Sequence, residues 1–230
     1  MNMNGRKICW MNSVFSKFIS SVFLDRCLHC TIDLAQGESF LCCFCEAMVV
    51  RPLPTTQVED SLTAITSFVG ASLKKDGPTE TLVHALKYHS GRGIGRKLGL
   101  EIALNNPNII SPDVLIPVPI HHKKQFKRGY NQSLSIAEGL GERLGVPVCS
   151  NAVKKICNSK SQTTLSPEDR RLNVEKFFSW KKGLDPRIRH VGIVDDVITT
   201  GATALALAKL LKTHYKELDI TIFAAAMAQE

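Results

Sequence analysis

Two adjacent carboxylates followed by a turn of small residues carry the most definite chemistry in this sequence. Residues 190–204 read His-Val-Gly-Ile-Val-Asp-Asp-Val-Ile-Thr-Thr-Gly-Ala-Thr-Ala. Val191, Ile193 and Val194 form an apolar run too short for a helix. Ending in Asp195 and Asp196, it reads as a buried parallel strand that delivers both carboxylates at its C-terminal end. Thr199, Thr200, Gly201, Ala202 and Thr203 then lead into an Ala-, Leu- and Lys-rich helix over 204–212. Free N–H groups and hydroxyls at such a turn, aided by the helix dipole, suit a phosphate. The turn has neither the Gly-Lys-Ser/Thr of a P-loop nor the spaced glycines of a dinucleotide fingerprint. Two carboxylates beside a phosphate cradle would repel a polyphosphate unless they faced hydroxyl donors or a metal ion carried with the ligand. A ribose 5-phosphate supplies a phosphate for the turn and a 2′,3′-diol for the aspartates.

A second constellation is made of thiols. Five of the eight cysteines crowd into residues 27–45, as Cys27-Leu-His-Cys30 and Cys42-Cys-Phe-Cys45. Two Cys-x-x-Cys pairs suit a tetrahedral Zn²⁺ better than a disulfide framework. Cys27, Cys30, Cys42 and Cys45 are the favoured ligands, with Cys43 and His29 as alternatives. Four protein ligands leave no position open for chemistry, so the expected role is structural.

The third constellation is basic. A short apolar strand over 113–118 runs into a loop with His121, His122, Lys123, Lys124, Lys127 and Arg128, closing on Arg128-Gly-Tyr-Asn-Gln132. So much positive charge at a strand end suits pyrophosphate or a nucleic-acid backbone. The polar stretch 158–174 has the composition of a lid that would exclude water from a reactive sugar.

The elements that must position these groups alternate. Strands are expected at 64–71, 113–118, 153–156, 191–194 and 220–227. Helices are expected from Pro78 until Gly91 and Gly93 break it, then over 96–104, 133–144 and 204–212. Alternation means an α/β fold with a mainly parallel sheet, whose ligands lie beyond the carboxyl ends of the strands. Apolar residues at helical spacing make 1–24 an amphipathic N-terminal helix, with Met11 an alternative start to Met1. Residues 25–50 form the metal module, and 51–60, with Pro52 and Pro54, read as a linker into the main domain, 51–230.

At 230 residues, 44% hydrophobic and 22% charged, the chain has the composition of a globular protein. A net charge of +8 favours anionic partners. No apolar run approaches the roughly 20 residues of a membrane span, and the N-terminus lacks a signal-peptide cleavage pattern, so a cytoplasmic protein is expected.

Val-Asp-Asp-Val-Ile-Thr-Thr-Gly-Ala-Thr resembles the signature of type I phosphoribosyltransferases, which bind phosphoribosyl pyrophosphate (PRPP). The resemblance implies a Rossmann-like core with a small hood. It places Asp195 and Asp196 on the ribose hydroxyls, Thr199 to Thr203 around the 5′-phosphate, and Mg²⁺ with the pyrophosphate. Taken with the double Cys-x-x-Cys, Leu82-Val-His-Ala-Leu-Lys-Tyr88, Pro117-Val-Pro-Ile120 with Arg-Gly-Tyr-Asn-Gln, and Gln162, Leu165, Arg170 and Asn173, the chain resembles the ComF family of competence-associated proteins, GntX-type members included. The likeness runs from about Cys27 to the C-terminus. It departs from the family pattern at Lys75-Asp-Gly-Pro78 and Glu80, where an aromatic and a basic residue are expected.

By this resemblance the protein acts in natural transformation, helping imported single-stranded DNA, with the competence machinery at the inner face of the cytoplasmic membrane as a further partner. Cys27, Cys30, Cys42 and Cys45 would hold zinc, the basic loop with His121, Lys123, Lys124 and Arg128 would face pyrophosphate, and Gln162, Arg170 and Asn173 would belong to the lid. No residue stands out as a base for an acceptor. The alternatives are a nucleic-acid-binding module on a relic phosphoribosyltransferase scaffold, and a metabolic enzyme of nucleotide-salvage type. The former has a thin aromatic platform, with Tyr88, Tyr130 and Trp180 as candidates.

Overall fold

A computed structural model of the chain describes residues 26–51, 56–60, 63–88, 91–156 and 177–228. They fall into two compact units, one ending at Met48 and one beginning at Val49. The expected N-terminal helix and the lid, with Gln162, Arg170 and Asn173, lie outside the described residues.

The described part of the small unit, from residue 26, is built from tight turns and the helix α1 (Cys43–Ala47). Backbone bonds from Cys27 N–H to the Ile32 carbonyl and from Thr31 N–H to the Cys27 carbonyl close the first Cys-x-x-Cys turn. Glu38 accepts from the N–H groups of Ala35 and Cys43, each at 2.7 Å, and so pins the second pair against the connecting segment.

The larger unit is centred on a five-stranded sheet, with β1 (Thr56–Asp60), β2 (Thr63–Leu73), β3 (Val114–Pro117), β6 (His190–Ile198) and β7 (Asp219–Ala228) in the order β1-β2-β7-β6-β3. Only β1 runs antiparallel. A separate ribbon pairs β4 (Val153–Lys155) with β5 (Phe178–Trp180). The helices are α2 (Pro78–Tyr88), α3 (Arg92–Asn105), α4 (His122–Arg128), α5 (Gln132–Leu144) and α6 (Ala202–His214). Val191, Ile193, Val194, Ile222 and Phe223 are all 0% exposed, as strands covered on both faces require. Val191, Ile193 and Ile222 share one core with Leu207 and Leu211 of α6.

The other layer is unusually close. A Cβ on Gly99 of α3 would lie 2.1 Å from the Ile136 carbonyl oxygen, and one on Gly139 of α5 would lie 2.0 Å from that of Arg96. Glycine is therefore what lets α3 and α5 meet backbone to backbone.

The architecture is the expected α/β one with a mainly parallel sheet. Four local expectations are corrected. Residues 56–60, read as linker, form β1, because they find β2 as a partner. The helix expected from 96 begins at Arg92, since Gly93 is tolerated inside α3. The basic loop contains α4, which His121 opens as N-cap and Gly129 ends at φ 78°. The central strand continues through both aspartates to Ile198 because β7 pairs with it that far. At Lys75–Glu80, Glu80 accepts the N–H of Asp76 at 2.7 Å and acts as a turn-and-helix cap. Among the described residues, no helix is long and apolar enough to cross a membrane.

Candidate functional site

The site lies where β3 stops short of its neighbour. β3 pairs with β6 only as far as Pro117 opposite Val194. The Val118 N–H donates to the Val194 carbonyl at 2.8 Å, and the next residues of β6, Asp195 and Asp196, lie past the end of β3. The chain beyond β3 is tied down by Asn131, whose Nδ2 donates to the Val118 carbonyl at 3.0 Å. Its Oδ1 accepts the Ser133 N–H as the N-cap of α5. The Ser133 hydroxyl then donates to Asp195 Oδ1 at 3.2 Å.

The Arg-Gly-Tyr-Asn-Gln run is thus a chain of fixings. Gly129 caps α4, and Tyr130 is buried with its hydroxyl donating to the Leu86 carbonyl of α2. Gln132 Oε1 accepts from Arg128 Nη1 at 3.1 Å. With Tyr130 anchoring α2, Lys87 comes within 3.8 Å of Asp196 Oδ2.

These elements enclose a cleft of about 240 Å³, lined by Asp195, Asp196 and Thr203 together with His121, Lys124 and Arg128. Lys87, Lys155, Gln132 and Ser133 complete the polar lining. A pocket of about 40 Å³ adjoins it, lined by Thr199, Thr200, Gly201, Ala202 and Thr203 and also by Asp195. Gly201 takes φ 71° as the N-cap of α6, and the Ala202 N–H donates to Thr200 Oγ1 at 3.4 Å. The helix has no acidic residue in its first turn, so no side-chain charge there offsets the positive end of its dipole.

The electrostatics are uneven. Burial and the neighbouring Asp196 push the Asp195 carboxyl up to about 7, against the pull of the Asp196 N–H, the Ser133 hydroxyl and Lys155. His121 is held below the usual histidine range by burial and by the charges of His122, Lys123, Lys155 and Lys124. Its Nδ1 accepts the Lys123 N–H at 3.3 Å, which fixes the ring. The cleft therefore combines hydroxyl-accepting oxygens with a positive field.

The structure brings together the aspartates, the Thr199–Thr203 turn, His121, Lys124 and Arg128. Lys123 is not among the lining residues, because it lies on a different face of α4 from Lys124. Four lining residues, Lys87, Gln132, Ser133 and Lys155, were not singled out in the sequence as site residues. Gln132 is the most telling of them, since its Nε2 is buried without a hydrogen-bond partner among the described residues. Its identity as nitrogen follows from Arg128, which can only donate and so must face the oxygen. Tyr130, a candidate stacking platform, is buried. Trp180 is half-buried and stacked on His214, while Tyr88 is exposed.

In the small unit, the Sγ atoms of Cys27, Cys30, Cys42 and Cys45 all lie within 4.8 Å of one another, positioned to hold a metal ion. Cys30 and Cys42 are 3.6 Å apart. A tetrahedron with sulfur–metal bonds of about 2.3 Å has edges of roughly 3.8 Å, so the spacing fits. Burial opposes ionisation of Cys27, yet N–H groups of Cys30, Cys42 and His29 bring it down to about 6. Burial and the other three sulfurs push Cys45 well above the usual thiol range. Four sulfurs this crowded are relieved by a cation between them. Cys43 is exposed and stands outside the set, its thiol raised by Glu38.

The larger unit is thus an α/β protein with a polar, cation-rich cleft at the carboxyl edge of a parallel sheet. No family model matches the sequence. The chain is 30% identical over 211 residues to Competence protein F of Haemophilus influenzae, covering 83% of this chain and 92% of that protein. It is also 30% identical over 206 residues to the DNA utilization protein YhgH of Escherichia coli K12, covering 80% and 89%. The chain belongs to the competence protein F (ComF) family. The solved AQ2163 protein of Aquifex aeolicus matches 70% of this chain and 87% of its own at 13% identity, with a TM-score of 0.36, too loose to define the fold.

Proposed function

We propose that the larger unit is a type I phosphoribosyltransferase-like domain that binds PRPP, and that the protein acts in natural competence, handling incoming single-stranded DNA in the cytoplasm. The observation that carries the ligand reading is the meeting, at one sheet edge, of a carboxylate pair, a small-residue turn opening a helix and a cationic wall. In this reading Asp195 and Asp196 accept hydrogen bonds from the ribose diol, with Ser133 orienting the first and Lys87 neutralising the second. The 5′-phosphate sits on Thr199, Thr200, Gly201, Ala202 and Thr203. The pyrophosphate faces His121, Lys124 and Arg128, with Lys123 adding charge from the neighbouring face, and Mg²⁺ accompanies it. The buried Gln132 amide is a further donor for the anion. Gln162, Arg170 and Asn173 belong to the lid of the same reading.

The names borne by the two relatives, a competence protein and a DNA utilization protein, support the biological half of the proposal. The Cys27, Cys30, Cys42 and Cys45 cluster holds Zn²⁺ in a structural role, because four thiolates saturate a tetrahedral ion. Competence machinery at the inner face of the cytoplasmic membrane is the expected protein partner.

Calorimetric titration of zinc-loaded protein with PRPP and Mg²⁺, with and without a short single-stranded oligonucleotide, tests this. Saturable binding is expected, and Asp195→Asn with Asp196→Asn is expected to abolish it. Unchanged affinity in the double variant would refute the site. Absence of PRPP binding with salt-sensitive DNA binding intact would favour a nucleic-acid module on a relic scaffold.

A further inference from the structure

Helix α4 has two differently employed faces. Lys124 and Arg128, one turn apart, are half-buried and line the cleft. His122, Phe126, Lys123 and Lys127 occupy the adjoining arc of the helix and are exposed, Phe126 to 93%. Single exposed apolar residues are ordinary on protein surfaces. This one stands beside two exposed lysines on a helix with no acidic residue. Lys123 and Lys127 form a like-charge pair at i,i+4, which destabilises a helix, and Lys123 also sits in the first turn against the dipole. Among the described residues neither lysine has an ion-pair partner. The positive field is strong enough to contribute to holding buried His121 neutral. The inner pair has the cleft, and a ligand there, to account for its charge. Lys127 has no such account within the described chain, and Lys123, though it adds to the positive field, lies off the cleft lining.

We infer that the outer face of α4 binds single-stranded nucleic acid, with Lys123 and Lys127 on the phosphates and an unpaired base stacked on Phe126. Lysines with an exposed ring beside them match a single strand, which presents phosphates and unpaired bases side by side. A duplex would engage the lysines but keeps its bases stacked away from the ring. The inference rests on the reading of the protein as one that handles single strands and is independent of the PRPP assignment. It also supplies a physical link between the two ligands, because one seven-residue helix touches both.

The test is fluorescence anisotropy of a labelled 20-mer oligothymidylate with the full-length protein, against a duplex hairpin of the same length, across a salt series. Phe126→Ala is expected to weaken single-strand binding about 5- to 150-fold, the range of one lost base stack. Its PRPP titration is expected to be unchanged. Lys127→Ala is expected to reduce the slope of log affinity against log salt by about 0.7. Both substitutions are at exposed positions, and circular dichroism checks the fold. Equal affinity of Phe126→Ala and the native protein, equal affinity for duplex and single strand, or no oligonucleotide binding at all would each overturn the proposal. Loss of PRPP binding alone would overturn only the sugar-phosphate reading.

Discussion

Asp195→Asn is expected to stabilise the protein at pH 8 while removing its sugar-phosphate affinity. The Asp195 carboxyl titrates at about 7 instead of 3.8, because burial and Asp196 disfavour its charge more than Ser133, the Asp196 N–H and Lys155 favour it. The folded state therefore holds this proton more tightly than the unfolded chain does. The stability that protonation confers is fully present below about pH 4, is lost as the pH rises, and is gone above about 7. At about 1.4 kcal/mol per pH unit, the ionised carboxylate costs up to about 4 kcal/mol at pH 8. Asparagine removes that charge and keeps an oxygen for Ser133, but adds an amide whose missing partners take back about 1–3 kcal/mol. A net gain of about 1–3 kcal/mol raises Tm by roughly 2–12 °C in a unit of this size.

At pH 5 the folded protein holds the proton and less than half of that cost remains, so the advantage of the variant should vanish or reverse. Thermal melts of both proteins at pH 8 and pH 5, in phosphate-free buffer at 0.15 M salt, read this directly. A variant less stable than the native protein at pH 8, or a gap that does not shrink between pH 8 and pH 5, would refute the reasoning. Either result would mean that the Ser133 and backbone hydrogen bonds outweigh burial, and that the carboxylate is comfortable in the empty cleft.

Cys27→Ser is expected to lower zinc stoichiometry and destabilise the small unit, measured by metal analysis and limited proteolysis. Retention of full zinc and native protease resistance would count against the four-cysteine site. Gly139→Ala is expected to destabilise the larger unit by about 1–3 kcal/mol or more, since its Cβ would lie 2.0 Å from a backbone oxygen that cannot rotate away. Gly183→Ala, whose Cβ would meet only the Tyr215 hydroxyl at 3.5 Å, is the control and should melt close to the native protein.

The elements of this fold were legible wherever a local pattern is decided locally. The apolar run at Val191, the helix start at Pro78 and the paired Cys-x-x-Cys turns each carry their own signal within a few residues. β1 was not legible, because Thr56–Asp60 has no apolar alternation and becomes a strand only by pairing with β2. The site divides the same way. The aspartates and the Thr199–Thr203 turn are contiguous in sequence, so their chemistry could be read together. Ser133 meets Asp195 across 62 positions, and Lys87 meets Asp196 only because Tyr130 holds α2 in place. Nothing in the vicinity of Ser133 distinguishes it from a routine helix-start serine.

The two faces of α4 are a sharper case. A run of six basic residues in eight reads as one loop of diffuse charge until helical geometry separates Lys124 and Arg128 from Lys123 and Lys127. That geometry is itself set by His121 and Gly129, whose capping roles are invisible to a count of charges. Positive charge in this protein is therefore informative only after the caps that aim it are known.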